Sequence, residues 1–210
     1  MKNTVRLKKS IMTAILAALS IVLYVIGPKF PIPAIFPSFL SVNFSMIPIF
    51  IAILMIDYKS GLAIVFIRFI FGFITGTHTA GIGETADLII GLFLVLFTSL
   101  GKLLFKDKLR FIPLFLFSIL GWVVGGLISN IFALPMYINV MGYTPEMFAS
   151  MLAKIHPLCT KDNFIFYYFV LAILPFNLML SNIVVWITYL LYLPLHNNIN
   201  NYFDEKVEIN

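Results

Sequence analysis

The sequence predicts an all-α integral membrane protein with six transmembrane helices. Hydrophobic residues make up 61% of the chain and charged residues only 11%, which is more apolar surface than a soluble domain of this size can bury. Several apolar runs are long enough to cross about 30 Å of hydrocarbon. These runs are continuous and do not alternate with polar residues, which excludes a transmembrane barrel.

The six predicted helices form a single membrane domain over residues 1–210. Their expected bounds are about 11–26, 44–56, 61–75, 84–104, 112–136 and 164–195. The sixth helix is long for one crossing and contains Pro175, so we expect a kink or a tilt there.

Two loops of this topology are distinctive. The prolines of the first loop, residues 27–39, exclude a regular helix. Its apolar composition indicates either a lid over an outer site or an anchor at the membrane interface. The longest loop is expected between residues 139 and 162.

The basic residues predict the orientation in the membrane. Six helices put both termini on one side. With that side cytoplasmic, ten of the fourteen Lys and Arg residues lie on the cytoplasmic side, three lie on the outer side, and Arg68 lies within the membrane. This asymmetry follows the positive-inside rule and supports the helix count. The first loop, the turn at residues 76–83 and the longest loop then share the outer face.

Composition and motifs exclude several function classes. The net charge of +5 comes from basic loops that set topology, and it does not indicate a nucleic-acid partner. The single cysteine, Cys159, excludes an internal disulfide and a cysteine-based metal cage. Neither a phosphate-binding loop motif nor a His-Glu-x-x-His motif is present, so the sequence indicates neither nucleotide hydrolysis nor zinc proteolysis.

Three ionisable residues lie at the level of the membrane, and the chain is organised around them. Arg68 is halfway along the third predicted helix, and Glu84 and Asp87 open the fourth. A short turn makes these helices antiparallel neighbours, so we expect Arg68 to pair with Asp87, or less favourably with Glu84. Charged residues inside membranes usually face a bundle interior or a polar cavity. The pair is therefore either a structural link between two helices or part of the wall of an outer cavity.

Small and amide residues suggest further contacts. The turn GTHTAGIG, with Thr77 and His78, is either a binding loop next to the positive end of the fourth helix or an ordinary turn. Asn130 and Asn177 lie in the fifth and sixth helices, where an amide binds either a ligand or a neighbouring helix. Tyr137 adds a polar group near the outer end of the fifth helix.

A stripe of small residues runs along the first helix. Ser10, Ala14 and Ala18 recur every four residues. Such a stripe allows the close approach of another helix, either from this chain or from a partner.

Taken together, these features resemble the substrate-binding S components of energy-coupling factor (ECF) vitamin transporters, most closely the riboflavin-specific type. The resemblance covers most of the chain, and it depends on the order and spacing of four stretches. These are NFSMIPIFIA, THTAGIGETADLIIG, SNIFALPMY and LPFNLMLSNIVV.

The resemblance implies a subunit in a prokaryotic cell membrane that binds riboflavin or a related flavin on its outer face, with no enzymatic activity, no cofactor and no metal. It implies docking, through Ala14 and Ala18, on a transmembrane coupling protein driven by two ATPase subunits. Asn130 and Asn177 match the amides that hold the flavin ring. The full set of expected substrate-binding residues is Phe44, Arg68, Thr77, His78, Glu84, Asp87, Asn130, Tyr137 and Asn177.

Two positions depart from the riboflavin-type pattern. Leu180 stands where a Lys is usual, and Asp87 stands where an Asn is usual. An S component for another vitamin or aromatic small molecule is therefore an alternative. An integral membrane enzyme that uses Glu84, Asp87 and His78 is an alternative from a different class.

Overall fold

The computed structural model describes residues 2–26, 36–37, 40, 42–75, 79–105 and 111–204, and for residues 2–3 and 196–204 it describes the backbone alone. Every regular element in these ranges is helical, which confirms the predicted all-α class for the described part of the chain. In chain order the elements are α1 (Lys2–Ile26), α2 (Met46–Met55), α3 (Tyr58–Ile74), α4 (Ile82–Leu104), α5 (Phe111–Met141), α6 (Pro145–Ala153), α7 (Phe164–Phe166), a π-helical segment (Tyr167–Ile173) and α8 (Leu174–Asp204).

Within the described ranges, four helices are long and apolar enough to cross a membrane. They are Thr4–Ile26, Ile82–Leu104, Phe111–Met141 and Phe164–Leu195, with mean hydropathies of 2.0 to 2.3. The last of these joins α7, the π-helical segment and α8 into one continuous run, which we refer to as the last helix.

Helix α2 is buried on all sides. Each residue from Met46 to Ile53 is buried, and α1, α3, α4 and α8 pack around the helix. A helix that is apolar on every face belongs in the interior of a bundle. With ten residues, α2 is about 15 Å long, which is half of the hydrocarbon thickness.

The longest loop, expected between residues 139 and 162, contains a helix that the sequence analysis did not predict. Helix α6 begins after Thr144, whose side chain accepts a hydrogen bond from the backbone N–H of Met147, and Pro145 and Glu146 occupy its first turn. These are standard signals for a helix start. The buried residues of α6 pack against α7 and the π-helical segment, so α6 covers one end of α5 and of the last helix.

The opposite end of the bundle is held by two lysines. Lys9 of α1 forms an ion pair with Asp57 in the α2–α3 turn at 2.9 Å. Lys102 of α4 donates to the carbonyl oxygens of Ile53 and Leu54 at the end of α2. Burial opposes the ionisation of Asp57, but hydrogen bonds from Lys9 and Ser60 hold the pKa of its carboxyl below the ordinary value.

Candidate functional site

A network of charged and polar side chains joins the first four helices at the end away from Lys9. Arg68 of α3 is almost fully buried, with 2% of its side chain exposed, and its guanidinium lies 3.2 Å from a carboxylate oxygen of Asp87 on α4. It also donates to the hydroxyl of Ser45, just before α2. The predicted pairing of Arg68 with Asp87 is thus confirmed.

Residues that precede α2 complete the environment of this ion pair. The side-chain amide of Asn43 donates to the same oxygen of Asp87 at 3.2 Å. Its own oxygen accepts from the backbone N–H of Ser45, and the carbonyl of Ser45 accepts from Ser20 of α1. Asp87 therefore has one charged and one neutral donor, which offsets the cost of holding a carboxylate inside the bundle.

Glu84 has a different set of partners. Its two carboxylate oxygens accept from the hydroxyl of Tyr24 on α1 at 2.9 Å and from that of Thr79 at 3.2 Å. The ring of Tyr24 also lies 5.6 Å from the guanidinium carbon of Arg68, within the range of a cation–π contact. The network therefore holds two carboxylates and one guanidinium among the described residues.

The sequence analysis missed Tyr24, Asn43 and Ser45. An Asn and a Ser immediately before an apolar run are a typical signal for a helix start, and this signal marks residues 43–45. Tyr24 gave no such signal, because its role depends on how α1 packs against α3 and α4. Thr77 and His78, which were expected at this site, lie outside the described residues.

A second polar group lies between α5 and the last helix. The Asn177 side chain is buried, accepts from the indole N–H of Trp122 at 3.1 Å and donates to the carbonyl of Ile173 at 2.9 Å. The Asn130 side chain accepts from the hydroxyl of Tyr168 at 2.7 Å and donates to the carbonyl of Gly126 at 2.8 Å.

Gly126 allows this close arrangement. A Cβ atom at this position would lie 2.6 Å from the side-chain oxygen of Asn177, which is closer than side chains can approach. The absence of a side chain on α5 thus leaves the space that the Asn177 amide occupies on the last helix.

Two further predicted residues lie close to these groups. The hydroxyl of Tyr137 is within electrostatic range of Glu84, Asp87 and Tyr168, and Phe44 stands between Asn43 and Ser45 in the chain. Tyr137 is half-buried near the end of α5, where its ring contacts the rings of Tyr143 and Phe148. Phe44 is half-buried and packs against the main apolar core. Leu180, which replaces the expected Lys, is a buried member of that core.

Helix α1 presents its small residues to the outside of the bundle. Ala14 and Ala18 are exposed, whereas Ala17 is buried with 5% of its surface accessible. In the most apolar stretch of α1 only 17% of the residues are buried, compared with 33–44% in the other three long helices. The stripe of Ala14 and Ala18 is therefore not a packing seam within the described bundle.

Comparisons with known proteins agree with this architecture. The family model described as ECF transporter, substrate-specific component, matches residues 8–192. A solved structure described as the S component of a bacterial ECF transporter has a TM-score of 0.68 and 20% sequence identity, and the match covers 92% of this chain and 98% of that chain. Comparison with curated proteins gives no significant match.

The fold and the site define a helical, membrane-embedded protein with buried polar groups between its helices. The chain belongs to the family of ECF transporter substrate-specific components, since the family model covers most of its length. Such components are substrate-binding subunits of transporters and not enzymes, which excludes the alternative of an integral membrane enzyme.

Proposed function

We propose that this substrate-specific component binds riboflavin or a related flavin. The observation that carries the proposal is the pair of amides, Asn130 and Asn177, between α5 and the last helix. An amide can donate twice and accept twice. Asn177 makes one donor bond and one acceptor bond to protein, whereas Asn130 makes one acceptor bond, one donor bond and a second, longer donor contact of 3.5 Å to the hydroxyl of Ser129. Each amide oxygen thus retains a lone pair, and Asn177 retains an N–H, for the polar edge of a flat ligand.

The surroundings of the amides support a planar aromatic ligand. The rings of Trp122 and Tyr168 adjoin the two amides. Phe176, which precedes Asn177 in the chain, meets Phe36 edge to face, with ring centroids 5.2 Å apart. A pocket with many aromatic groups and a few fixed polar groups is typical of small-molecule sites. The isoalloxazine ring of a flavin combines flat apolar faces with a hydrogen-bonding edge, and it fits this chemistry.

We further propose that the whole chain forms one domain with six crossings and cytoplasmic termini in a prokaryotic cell membrane. The short α2 is extended by the non-helical residues 42–45 that precede it, and α3 has 17 residues, about 25 Å. Lys9 and Lys102 mark the cytoplasmic end under the positive-inside rule. The Arg68–Asp87 network then lies toward the outer face.

For the partners we propose a transmembrane coupling protein and two ATPase subunits, with α1 as the docking helix. The exposed positions of Ala14 and Ala18 support this assignment, because small residues on an outward face allow a partner helix to approach closely. The same face also meets the lipid bilayer whenever the subunit is not docked.

A second candidate substrate, another planar vitamin or aromatic small molecule, is favoured by two observations. Leu180 is buried in the apolar core where the riboflavin-type pattern has a Lys, so any contact that the Lys makes with flavin is missing here. Asp87 stands where the riboflavin-type pattern has an Asn. It is a carboxylate held by Arg68 and Asn43, so the uncharged amide of that pattern is missing here.

The test is to purify the full chain in detergent and identify the molecule that co-purifies. We expect visible flavin absorption, and a mass equal to that of riboflavin or a close relative in the denatured supernatant. A colourless protein that releases a different aromatic compound would support the second candidate. A protein that releases no flavin and does not acquire one when incubated with riboflavin would contradict the flavin proposal.

A further inference from the structure

The two amides are held by a reciprocal pair of hydrogen bonds between α5 and the last helix. Helix α5 supplies the donor Trp122 and the amide Asn130, and the last helix supplies the donor Tyr168 and the amide Asn177. Each helix thus gives one aromatic donor and receives another. All four side chains are buried or half-buried, so the bonds form away from bulk water.

The chemistry of the donors fixes the orientation of each amide. An indole N–H only donates and a backbone carbonyl only accepts. Asn177 must therefore turn its oxygen to Trp122 and its nitrogen to the carbonyl of Ile173. A reversed amide would place a donor against a donor and an oxygen against an oxygen.

Asn130 is fixed by the same logic. Its nitrogen lies against the carbonyl of Gly126, so its oxygen faces the hydroxyl of Tyr168. Reversal would bring two oxygen acceptors together at Gly126. Both amides thus use their nitrogen on a carbonyl of their own helix and their oxygen on an aromatic donor of the facing helix.

The π-helical segment brings Tyr168 and Asn177 to the same side of the last helix. They are nine residues apart, which in a regular α-helix at about 100° per residue places them about 180° apart. A π-helical turn holds one extra residue, so the spacing acts as eight and the difference falls to about 80°.

Trp122 and Asn130 on α5 are eight residues apart without any such interruption. The π-helical segment, Tyr167–Ile173, therefore gives the last helix the same effective spacing that α5 has in its regular form. This match allows the two aromatic–amide bonds to form at successive levels of the antiparallel pair.

We propose that Trp122 and Tyr168 are positioning residues that determine the polar edge of the ligand that this protein accepts. They lock the two amides, so the remaining lone pair of each oxygen and the remaining N–H of Asn177 point in set directions, while the nitrogen of Asn130 also lies 3.5 Å from the hydroxyl of Ser129. The ligand must then carry donors and acceptors in a matching order along the edge of its ring, as the imide edge of a flavin does. This inference rests on the proposed function.

The variants Trp122→Phe and Tyr168→Phe remove each donor and keep an aromatic ring. The probes are riboflavin and 3-methylriboflavin, in which the ring-edge N–H is blocked. With an amide released to turn, we expect riboflavin affinity to fall about tenfold or more, and the preference for riboflavin over its methylated form to shrink. Matched controls are Trp186→Phe, which is exposed on α8, and Tyr192→Phe, near the far end of the last helix.

The ratio of the two affinities separates positioning from simple stability. A structural role weakens the binding of both flavins equally, and an unchanged ratio in both variants would overturn the positioning role while leaving the flavin proposal intact. If wild-type protein binds neither flavin, the proposed function and this inference are both overturned. A reduced ratio in Trp122→Phe and Tyr168→Phe, with the wild-type ratio in the controls, supports the positioning role.

Discussion

At the scale of single residues, the free-energy cost of burying Arg68 dominates the site. An unpaired Arg at the centre of a membrane helix costs about 2.5–3.5 kcal/mol on insertion scales. Here Asp87 and Ser45 accept from its guanidinium, and the Tyr24 ring lies nearby. The Nε atom is buried without a hydrogen-bond partner among the described residues, so the burial of this side chain is only partly compensated.

The first prediction concerns the coupling between Arg68 and Asp87. Arg68→Met and Asp87→Asn should each lower the unfolding temperature, because each leaves a partner without its counter-charge. Breaking a fully buried pair costs about 3–5 kcal/mol. Because 28% of the Asp87 side chain is exposed, we expect about 1–3 kcal/mol here. The double variant should recover part of the loss, as measured by thermal unfolding in detergent.

The Lys9–Asp57 pair is the matched control for this cycle. Its side chains are 39% and 32% exposed, and exposed pairs contribute about 0–1 kcal/mol. Lys9→Met and Asp57→Asn should therefore show little coupling.

If the losses of stability from Arg68→Met and Asp87→Asn are strictly additive in the double variant, Arg68 and Asp87 do not act as one pair. Tighter flavin binding by Asp87→Asn would indicate that the natural ligand is not riboflavin.

Some residues of the site were predictable from sequence and others were not. The Arg68–Asp87 pair followed from the cost of charges in hydrocarbon and from the short turn between α3 and α4. The partners of Glu84 did not, because Tyr24 lies on α1, sixty residues away. The bonds of Asn130 and Asn177 to aromatic donors also depend on packing that a single sequence does not reveal.

At the scale of elements, the pairing of α4 with α5 depends on a glycine. These two helices form the most extensive pair in the described structure. A Cβ at Gly125 would lie 2.9 Å from Cβ of Phe93 and 3.1 Å from the backbone Cα of Ile90. Because a helix backbone cannot move aside independently, Gly125 has to remain without a side chain.

The second prediction is that Gly125→Ala lowers the unfolding temperature in detergent. Alanine is more favourable than glycine within a helix by about 1 kcal/mol, so a helix position with room for a methyl group would gain stability. At Gly125 the overpacking, about 1–3 kcal/mol, should outweigh that gain. An unchanged or raised unfolding temperature would show that α4 and α5 can separate slightly without cost.

The elements that the sequence did not predict have specific physical causes. Helix α6 has nine residues. Its start signals, Thr144 and Pro145, and its apolar face, Phe148, Ala149 and Leu152, are present in the sequence, but a helix this short is marginal by itself and is held by packing on α7 and the π-helical segment. An interruption of the last helix was expected near Pro175, and a π-helical segment, Tyr167–Ile173, ends two residues before this proline. The type of interruption, a helical turn with one extra residue, does not follow from the proline alone.

At the scale of the whole molecule, the exposed face of α1 predicts a separation of binding from transport. The double replacement Ala14→Trp with Ala18→Trp should leave ligand affinity in detergent nearly unchanged, because neither side chain faces the bundle. It should abolish uptake in cells, since bulky rings prevent the close approach of a coupling helix.

The control for this third prediction is Ala17→Trp, on the buried face of the same helix. It should destabilise the protein and reduce ligand affinity together, because the ring has to enter the core. If the Ala14 and Ala18 replacements also reduce affinity, the stripe would be part of the internal packing. If uptake persists in these variants, another surface would have to dock on the coupling protein.

The central claim is that the amides between α5 and the last helix hold a flavin. The most direct measurement is an equilibrium titration of the purified full chain with riboflavin, read from the quenching of flavin fluorescence. We expect saturable binding that weakens about tenfold or more in Asn130→Leu and in Asn177→Leu. Asn182→Leu should bind as wild type does, because this amide makes the same type of bond to its own helix but is exposed. No saturable binding, or equal affinities in all four proteins, would contradict the account.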